Sequence, residues 1–391
     1  MTARTALGLE RNVVAVSAAT FLLALGENLW KRFLPKYLEA LGAPVTAIGL
    51  FGTCQDFLDG VSQYPGGWIG DRYGRRRALL LFVTIAMVGY ALYWCAPSWP
   101  VVFLGLAFVM AWSSMASPTL FAVIGYALPK ERRAMGFTVQ SVLRRIPIAV
   151  APTAGGLVIA TYGIVDGVSI GLIFTLALAA LTLATVRRVD IAIVRDEAPT
   201  NVLAVWSSLP SPLRRLLGSD ILIRTCEGLV DVFLVLYAIN VIGIGAPSYG
   251  VLIGVQTITS IVSYFPAARM ADRIGRKPFV IATFVAFAAF PVAVVLANDS
   301  PTLVLAFVVG GLREIGEPAR KAMIVDLVRP SLRARSVGLY YLIRSVSIAP
   351  AAFLGGVLWN MTPALPFWTA GAIGAVGVIV FAATVDERHA S

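Results

Sequence analysis

Long apolar runs follow one another along the whole chain, separated by short polar breaks, and each is close to the roughly 20 residues that a helix needs to cross the hydrocarbon core of a bilayer. Periodicity and breakers predict six spans near Asn12 to Leu38, Val45 to Gly70, Ala78 to Ala96, Val101 to Leu128, Gly136 to Tyr162 and Gly167 to Val186. A second six follow near Ser219 to Ile242, Ser248 to Ala271, Phe279 to Ala297, Thr302 to Leu327, Val337 to Trp359 and Pro366 to Val385. With 58% of 391 residues hydrophobic and 14% charged, a water-soluble core is excluded and lipid is the solvent. The expected fold is an all-α membrane protein of twelve transmembrane helices, with no room for a sizeable soluble domain.

A net charge of +11 in a soluble chain points to nucleic acid, but here the cations sit in short loops between apolar runs. The loops after even-numbered spans carry Arg72, Arg75, Arg76 and Arg77, then Lys130, Arg132 and Arg133, then Arg273, Arg276 and Lys277, then Arg329, Arg333 and Arg335. The opposite loops are nearly bare of Lys and Arg. The positive-inside rule then sets both termini in the cytoplasm, with the chain multi-pass in the cell's inner (plasma) membrane. The expected partners are the bilayer and a small molecule rather than nucleic acid, and the expected state is a monomer. Cys54, Cys95 and Cys226 are scattered, and His389 is the sole histidine. Neither a metal site nor a Ser-His-Asp constellation is indicated. No phosphate-binding loop Gly-x-x-x-x-Gly-Lys-Ser/Thr is present, so no cofactor is expected and the parts of an enzyme are missing.

After the second span the sequence reads Gly70-Asp71-Arg72-Tyr73-Gly74-Arg75-Arg76, and 201 residues later it reads Ala271-Asp272-Arg273-Ile274-Gly275-Arg276-Lys277. A bias toward basic loops supplies charge, but not this order at the matching place of each half. Glycine permits the tight turn between helices that return at once. The carboxylate can cap a neighbouring helix start, while the arginines stay at headgroup level. Glu27 with Glu227, Pro118 with Pro318, Arg144 with Arg344, and Gly155-Gly156 with Gly355-Gly356 keep a similar offset. The chain therefore reads as a duplication: a six-helix half at 1–186, a polar linker at 187–218 and a second half at 219–391.

The parallel repeat and its loop motif closely resemble the major facilitator superfamily, over essentially the whole chain. The resemblance implies an alternating-access carrier whose central cavity is lined by helices 1, 4, 7 and 10, with 3, 6, 9 and 12 outside. It implies a gating role for Gly70, Asp71, Arg72, Gly74 and Arg75, with Asp272, Arg273, Gly275 and Arg276 as the second copy. The helix-5 signature of the drug antiporters, ending Gly-Pro-x-x-Gly-Gly, is matched in part by Ala151-Pro152-Thr153-Ala154-Gly155-Gly156 and departs at Ala151.

An ionisable residue at the centre of a spanning helix costs about 2.5 to 3.5 kcal/mol on insertion scales, so the helices that hold several face something other than lipid. Spans 3, 6, 9 and 12 hold none in their interiors. In span 1, Glu27 and Lys31 share a face, with Arg32 beside them; in span 2, Asp56 and Asp59 share another. Span 7 carries the stripe Arg224, Glu227 and Asp231, and span 10 carries Arg313, Glu314, Glu317, Arg320 and Lys321. Glu27, Asp56, Asp59, Glu227, Asp231, Glu314 and Glu317 are proton-site candidates, the alternative being a permanent ion-pair network that holds the helices together. Arg144, Arg145, Arg313, Arg320 and Arg344 suit a carboxylate or phosphate, the alternative being that some merely reach toward water. Trp30, Trp112 and Tyr237 are placed to stack on an organic group.

The expected function is a secondary active transporter driven by a proton gradient, an antiporter exporting a small charged or amphipathic organic molecule. An organic-anion uniporter or symporter with structural carboxylates is the alternative, and a non-transporting membrane receptor is a third reading.

Overall fold

The computed structural model describes residues 11–117, 119–120, 130–187, 210–327 and 333–385. The expected linker falls largely on 188–209, outside the described residues, as do the side chains of Lys130, Arg132, Arg133, Arg333 and Arg335 and all of Arg329 and His389.

Among the described residues every regular element is helical. Span 1 is α1 (Arg11–Trp30), a 3₁₀ turn (Lys31–Phe33) and α2 (Leu34–Ala40). There follow α3 (Val45–Tyr73), α4 (Arg75–Trp94), α5 (Trp99–Met110) with a π-helical turn (Ala111–Met115), α6 (Lys130–Tyr162) and α7 (Ile164–Val186). The second series opens with α8 (Ser211–Val230), a 3₁₀ turn (Asp231–Phe233), α9 (Leu234–Leu236) and a π-helical turn (Tyr237–Val241). It continues through α10 (Ala246–Ile274), α11 (Lys277–Leu296), α12 (Ser300–Leu312), α13 (Glu317–Asp326), α14 (Arg333–Ile348), α15 (Pro350–Met361) and α16 (Leu365–Thr384).

Seven helices among the described residues are long and apolar enough to cross a membrane by length and composition. Several of the remaining spans are interrupted, and each interruption matters for the site. The span read as continuous from Thr302 to Leu327 breaks at Arg313–Gly316. Pro318 has no N–H, and its ring crowds the Glu314 carbonyl four residues back, so an unbroken helix is not available there. Thr283 of α11 holds the break, its Oγ1 accepting from the Gly316 N–H at 2.5 Å. Pro35 accounts in the same way for the 3₁₀ turn after Trp30. The matching turn at Asp231–Phe233 has no proline.

The chain divides into two compact units. The first comprises residues 1–43, 58–197 and 245–251, and the second 44–57, 198–244 and 252–391. In the first, α1 packs against α6 and α7, and α4 against α5 and α7. In the second, α8 packs against α15 and α16, and α11 against α12 and α16. The correspondence reaches single atoms. A Cβ on Gly155 would fall 1.8 Å from the Leu29 carbonyl oxygen, and one on Gly355 would fall 2.2 Å from that of Leu229. The next glycines serve a second contact of the same kind: a Cβ on Gly156 would meet Ala246 O at 2.4 Å, and one on Gly356 would meet Val45 O at 3.0 Å. The paired Gly-Gly sequences are therefore close-packing surfaces on both sides of a helix. Large apolar side chains such as Val262, Leu305 and Ile379 stay exposed, as helices surrounded by lipid require.

Candidate functional site

Charge in the second unit is gathered into one connected network. Asp220, Arg224 and Glu227 project from α8 at helical spacing, Arg313 sits on the break in span 10, Glu317 and Arg320 on α13, and Tyr340 and Arg344 on α14. Arg320 Nη1 donates to Asp220 Oδ2 at 2.6 Å, while its Nε and Nη2 donate to Glu317 at 3.1 and 2.8 Å. Arg224 joins the next two acids, reaching Glu317 Oε1 at 2.7 Å and Glu227 Oε2 at 2.8 Å. Arg313 Nη1 reaches Glu227 Oε1 at 3.3 Å, and its Nε donates to the Gly310 carbonyl at 2.9 Å. The Phe287 and Phe290 rings lie under the Arg313 guanidinium, at 5.1 and 4.5 Å. Asp220 Oδ2 also accepts from Tyr340 at 2.9 Å and from Arg344 at 3.5 Å. Arg320 and Asp220 are both 1% exposed, so neither is solvated by bulk water. Each carboxylate has a guanidinium partner, which offsets the desolvation that an unpaired buried charge would suffer. The network ties α8, span 10 and α14 together.

The first unit treats the matching glutamate differently. Glu27 and Glu227 each stand four residues before a 3₁₀ turn. Glu27 is 7% exposed and accepts from the Tyr90 hydroxyl of α4 at 2.5 Å; Lys31, one turn on, lies 3.8 Å away. The pocket is aromatic. The Trp30 ring meets Tyr90 and Tyr93 edge-on, and its N–H donates to Thr175 Oγ1 at 3.0 Å. A second acid of this unit, Asp59, likewise meets a neutral hydroxyl, accepting from Ser114 on the π-helical turn of span 4 at 2.5 Å.

The repeated loop motif forms two like turns. Gly74 and Gly275 take φ of +88° and +111°, where a side chain is disfavoured, and each lies between two long helices. Gly70 has a different role, since a Cβ there would come within 2.5 Å of Thr119 Oγ1. Arg72 lies over Trp68 at 5.0 Å, and Arg75 is buried. Arg273 is exposed and Arg276 half-buried; the side chains of Asp71 and Asp272 lie outside the described residues. Lys277 and Arg215 donate to the Ala382 and Thr384 carbonyls at the C-terminal end of α16, where the helix dipole favours cations.

The structure thus brings Arg224, Glu227, Arg313, Glu317, Arg320 and Arg344 together, and Glu27 with Lys31. Asp231, Lys321 and Arg144 are exposed, while Asp56, Arg32, Arg145 and Glu314 are half-buried. The aromatics assigned to ligand stacking are core residues instead. Trp30, Trp112 and Tyr237 are all buried, with the Tyr237 ring against Phe367. Sequence reasoning missed Asp220, Tyr340 and Tyr90. Asp220 was within reach, because 220, 224, 227 and 231 form one helical stripe, and extending it back a turn finds the most buried acid of the network. Tyr90 gave no signal, being a single hydroxyl in a span without charge.

Comparison with known proteins gives the same account of the whole chain. It is 20% identical over 373 residues to an uncharacterized MFS-type transporter, MJ1317, of Methanocaldococcus jannaschii, covering 92% of this chain and 91% of that one. Over 123 residues, 31% of each chain, it is 25% identical to the multidrug resistance protein MdtH of Aeromonas hydrophila subsp. hydrophila. Its fold matches that of a POT family transporter solved in complex with 5-aminolevulinic acid, with a TM-score of 0.80 over 95% of both chains at 12% identity. The family model described as Major Facilitator Superfamily matches residues 16–224 and 216–391. A twelve-helix membrane transporter, the chain belongs to the Major Facilitator Superfamily.

Proposed function

We propose that this chain is a proton-coupled transporter that exports a small charged or amphipathic organic molecule by alternating access, with Glu27 as the group that takes up and releases the proton. One contrast carries the reading. Glu227, its mate in the repeat, is gripped by Arg224 and Arg313 at 2.8 and 3.3 Å, whereas Glu27 meets a neutral hydroxyl at 2.5 Å and an ammonium only at 3.8 Å. Losing the charge on Glu227 leaves Arg313 without its carboxylate and Arg224 with Glu317 alone, in a low-dielectric setting. Neutralising Glu27 leaves one lysine that is 38% exposed and able to find water. A tyrosine hydroxyl is donor and acceptor at once, so Tyr90 can bond either form of the acid.

Export draws support from the similarity to a multidrug resistance protein. The basic loops support a topology with the motif turns and both termini on the cytoplasmic side of the inner membrane. The same reading takes 1–186 and 219–391 as the moving halves, with 187–218 joining them.

A second reading, an organic-anion uniporter or symporter, gains support from the four arginines against three acids in the network of the second unit. Transport in proteoliposomes with and without an imposed pH gradient separates the two. Coupled transport speeds up under the gradient and loses that response in Glu27→Gln. Equal rates with and without the gradient exclude coupling and favour the second reading.

A further inference from the structure

We propose that the transported molecule carries a carboxylate or phosphonate and that Arg344 is the side chain that binds it. This deepens the transporter reading above and rests on it.

Two guanidinium groups of the network, Arg224 and Arg344, have a buried Nε without a hydrogen-bond partner, and Arg344 is the less committed of the two. Both oxygens of Glu317 are taken by Arg320 and Arg224, and both oxygens of Glu227 by Arg224 and Arg313. Arg320 commits its Nε, Nη1 and Nη2, and Arg313 its Nε and Nη1. Arg344 has a single hydrogen bond in the network, 3.5 Å long, to an oxygen that already accepts from Arg320 at 2.6 Å and from Tyr340 at 2.9 Å. That length is the outer limit of a hydrogen bond. Asp220 Oδ1 is likewise buried without a partner, so the Arg344–Asp220 pair is loose on both sides, and Arg344 can turn its fork to the carboxylate or phosphate oxygens of a ligand.

Charge and access agree with this. Three carboxylates, Asp220, Glu227 and Glu317, face four guanidinium groups, and the Lys321 charge also acts on Glu317, so the network carries an excess of positive charge that an anion reduces. The Arg344 side chain is 17% exposed against 1% for Arg320, so a solute can reach the former and not the latter. The Tyr341 ring lies 4.7 Å from the Arg344 guanidinium carbon, a cation–π contact that helps to position the group. An incoming carboxylate takes the exposed part of the Arg344 guanidinium and relieves the crowded Asp220 oxygen of its most distant donor. A carboxamide of the same shape brings no charge and has one acceptor oxygen instead of two, so it cannot do the same.

The test is equilibrium binding to full-length protein in detergent at fixed pH, with no gradient, followed by tryptophan fluorescence. The probes are octanoate with octanamide, 4-phenylbutyrate with its amide, and phenylphosphonate. Wild-type protein is expected to bind an acid about tenfold or more tighter than its amide, the loss of a charged hydrogen bond being of that order. Arg344→Gln removes the preference. Arg344→Lys keeps the charge but not the fork and retains a weaker preference, which decides the matter should Arg344→Gln prove unstable by its thermal transition. Acids and amides bound alike, no acid in the panel bound, or an unchanged preference in both variants overturns the proposal. Acids bound selectively by a protein whose transport in proteoliposomes ignores an imposed pH gradient instead contradict the coupling role of Glu27 and leave the anion site standing.

Discussion

The Tyr90 hydroxyl donates to Glu27 Oε1 at 2.5 Å, in a pocket walled by the edges of Trp30 and Tyr93. Tyr90→Phe removes that donor while keeping the ring against Trp30, so its effect isolates the bond. A loss of about 1 to 3 kcal/mol is expected for a buried carboxylate deprived of its donor, read from the unfolding transition of purified protein. An unchanged transition means that the bond contributes nothing net.

Asp220 and Arg320 meet at 2.6 Å with 1% exposure each. Asp220→Asn strips Arg320 of one charge partner while Glu317 still holds it, and a loss of about 1 to 3 kcal/mol is expected. Replacing Asp220 and Arg320 together by apolar residues is expected to be less harmful than Asp220→Asn alone, although Glu317 then depends on Arg224. Thermal unfolding of the single and double variants measures the difference; equal losses mean the pair is not coupled.

Glycines give a sharper packing test. Ala at Gly155 or Gly355 places a methyl group 1.8 or 2.2 Å from a carbonyl oxygen, and the helices must part by at least an overpacking cost of about 1 to 3 kcal/mol. Gly218 and Gly338 have nothing within 4 Å of a built Cβ, and Ala at either is expected to be neutral or stabilising, by up to about 1 kcal/mol. Thermal stability of the four alanine variants orders them; the same loss at all four sites contradicts the packing account.

Much of this was legible in the sequence because the solvent is lipid. Apolar runs, basic loops and the motif at 71 and 272 carry the fold, since each reflects a constraint on the chain rather than a contact between distant residues. The break at Arg313–Gly316 was signalled by Pro318, but within an apolar run a proline alone does not separate a kink from an interruption. Tyr90 could not be found, because a hydrogen bond between residues 63 positions apart leaves no periodic trace. The aromatic assignments failed for a related reason: Trp30 looks the same in sequence whether its N–H meets a ligand or Thr175.

Outside the spans, Asp299 caps α12 by accepting from the Thr302 N–H at 2.9 Å and from the Thr302 hydroxyl. Those two bonds, the side-chain one first, hold its carboxyl below the ordinary aspartate value. A lowered value stabilises the folded cap above the ordinary range, and the gain is lost as pH falls through the lowered value. Hydrogen exchange at the first amides of α12 is therefore expected to quicken at acid pH beyond its intrinsic rate. Asp299→Ala removes that pH dependence; an identical dependence in the variant contradicts the cap.

Proton release on ligand addition tests the central claim most directly. Weakly buffered, detergent-purified protein is titrated with organic cations, zwitterions and carboxylates while the pH is followed, for wild type, Glu27→Gln and Glu227→Gln. Ligand-induced release from wild type and Glu227→Gln, lost in Glu27→Gln, is the predicted result. Binding without release from wild type, or release undiminished in Glu27→Gln, contradicts Glu27 as the proton-coupling group.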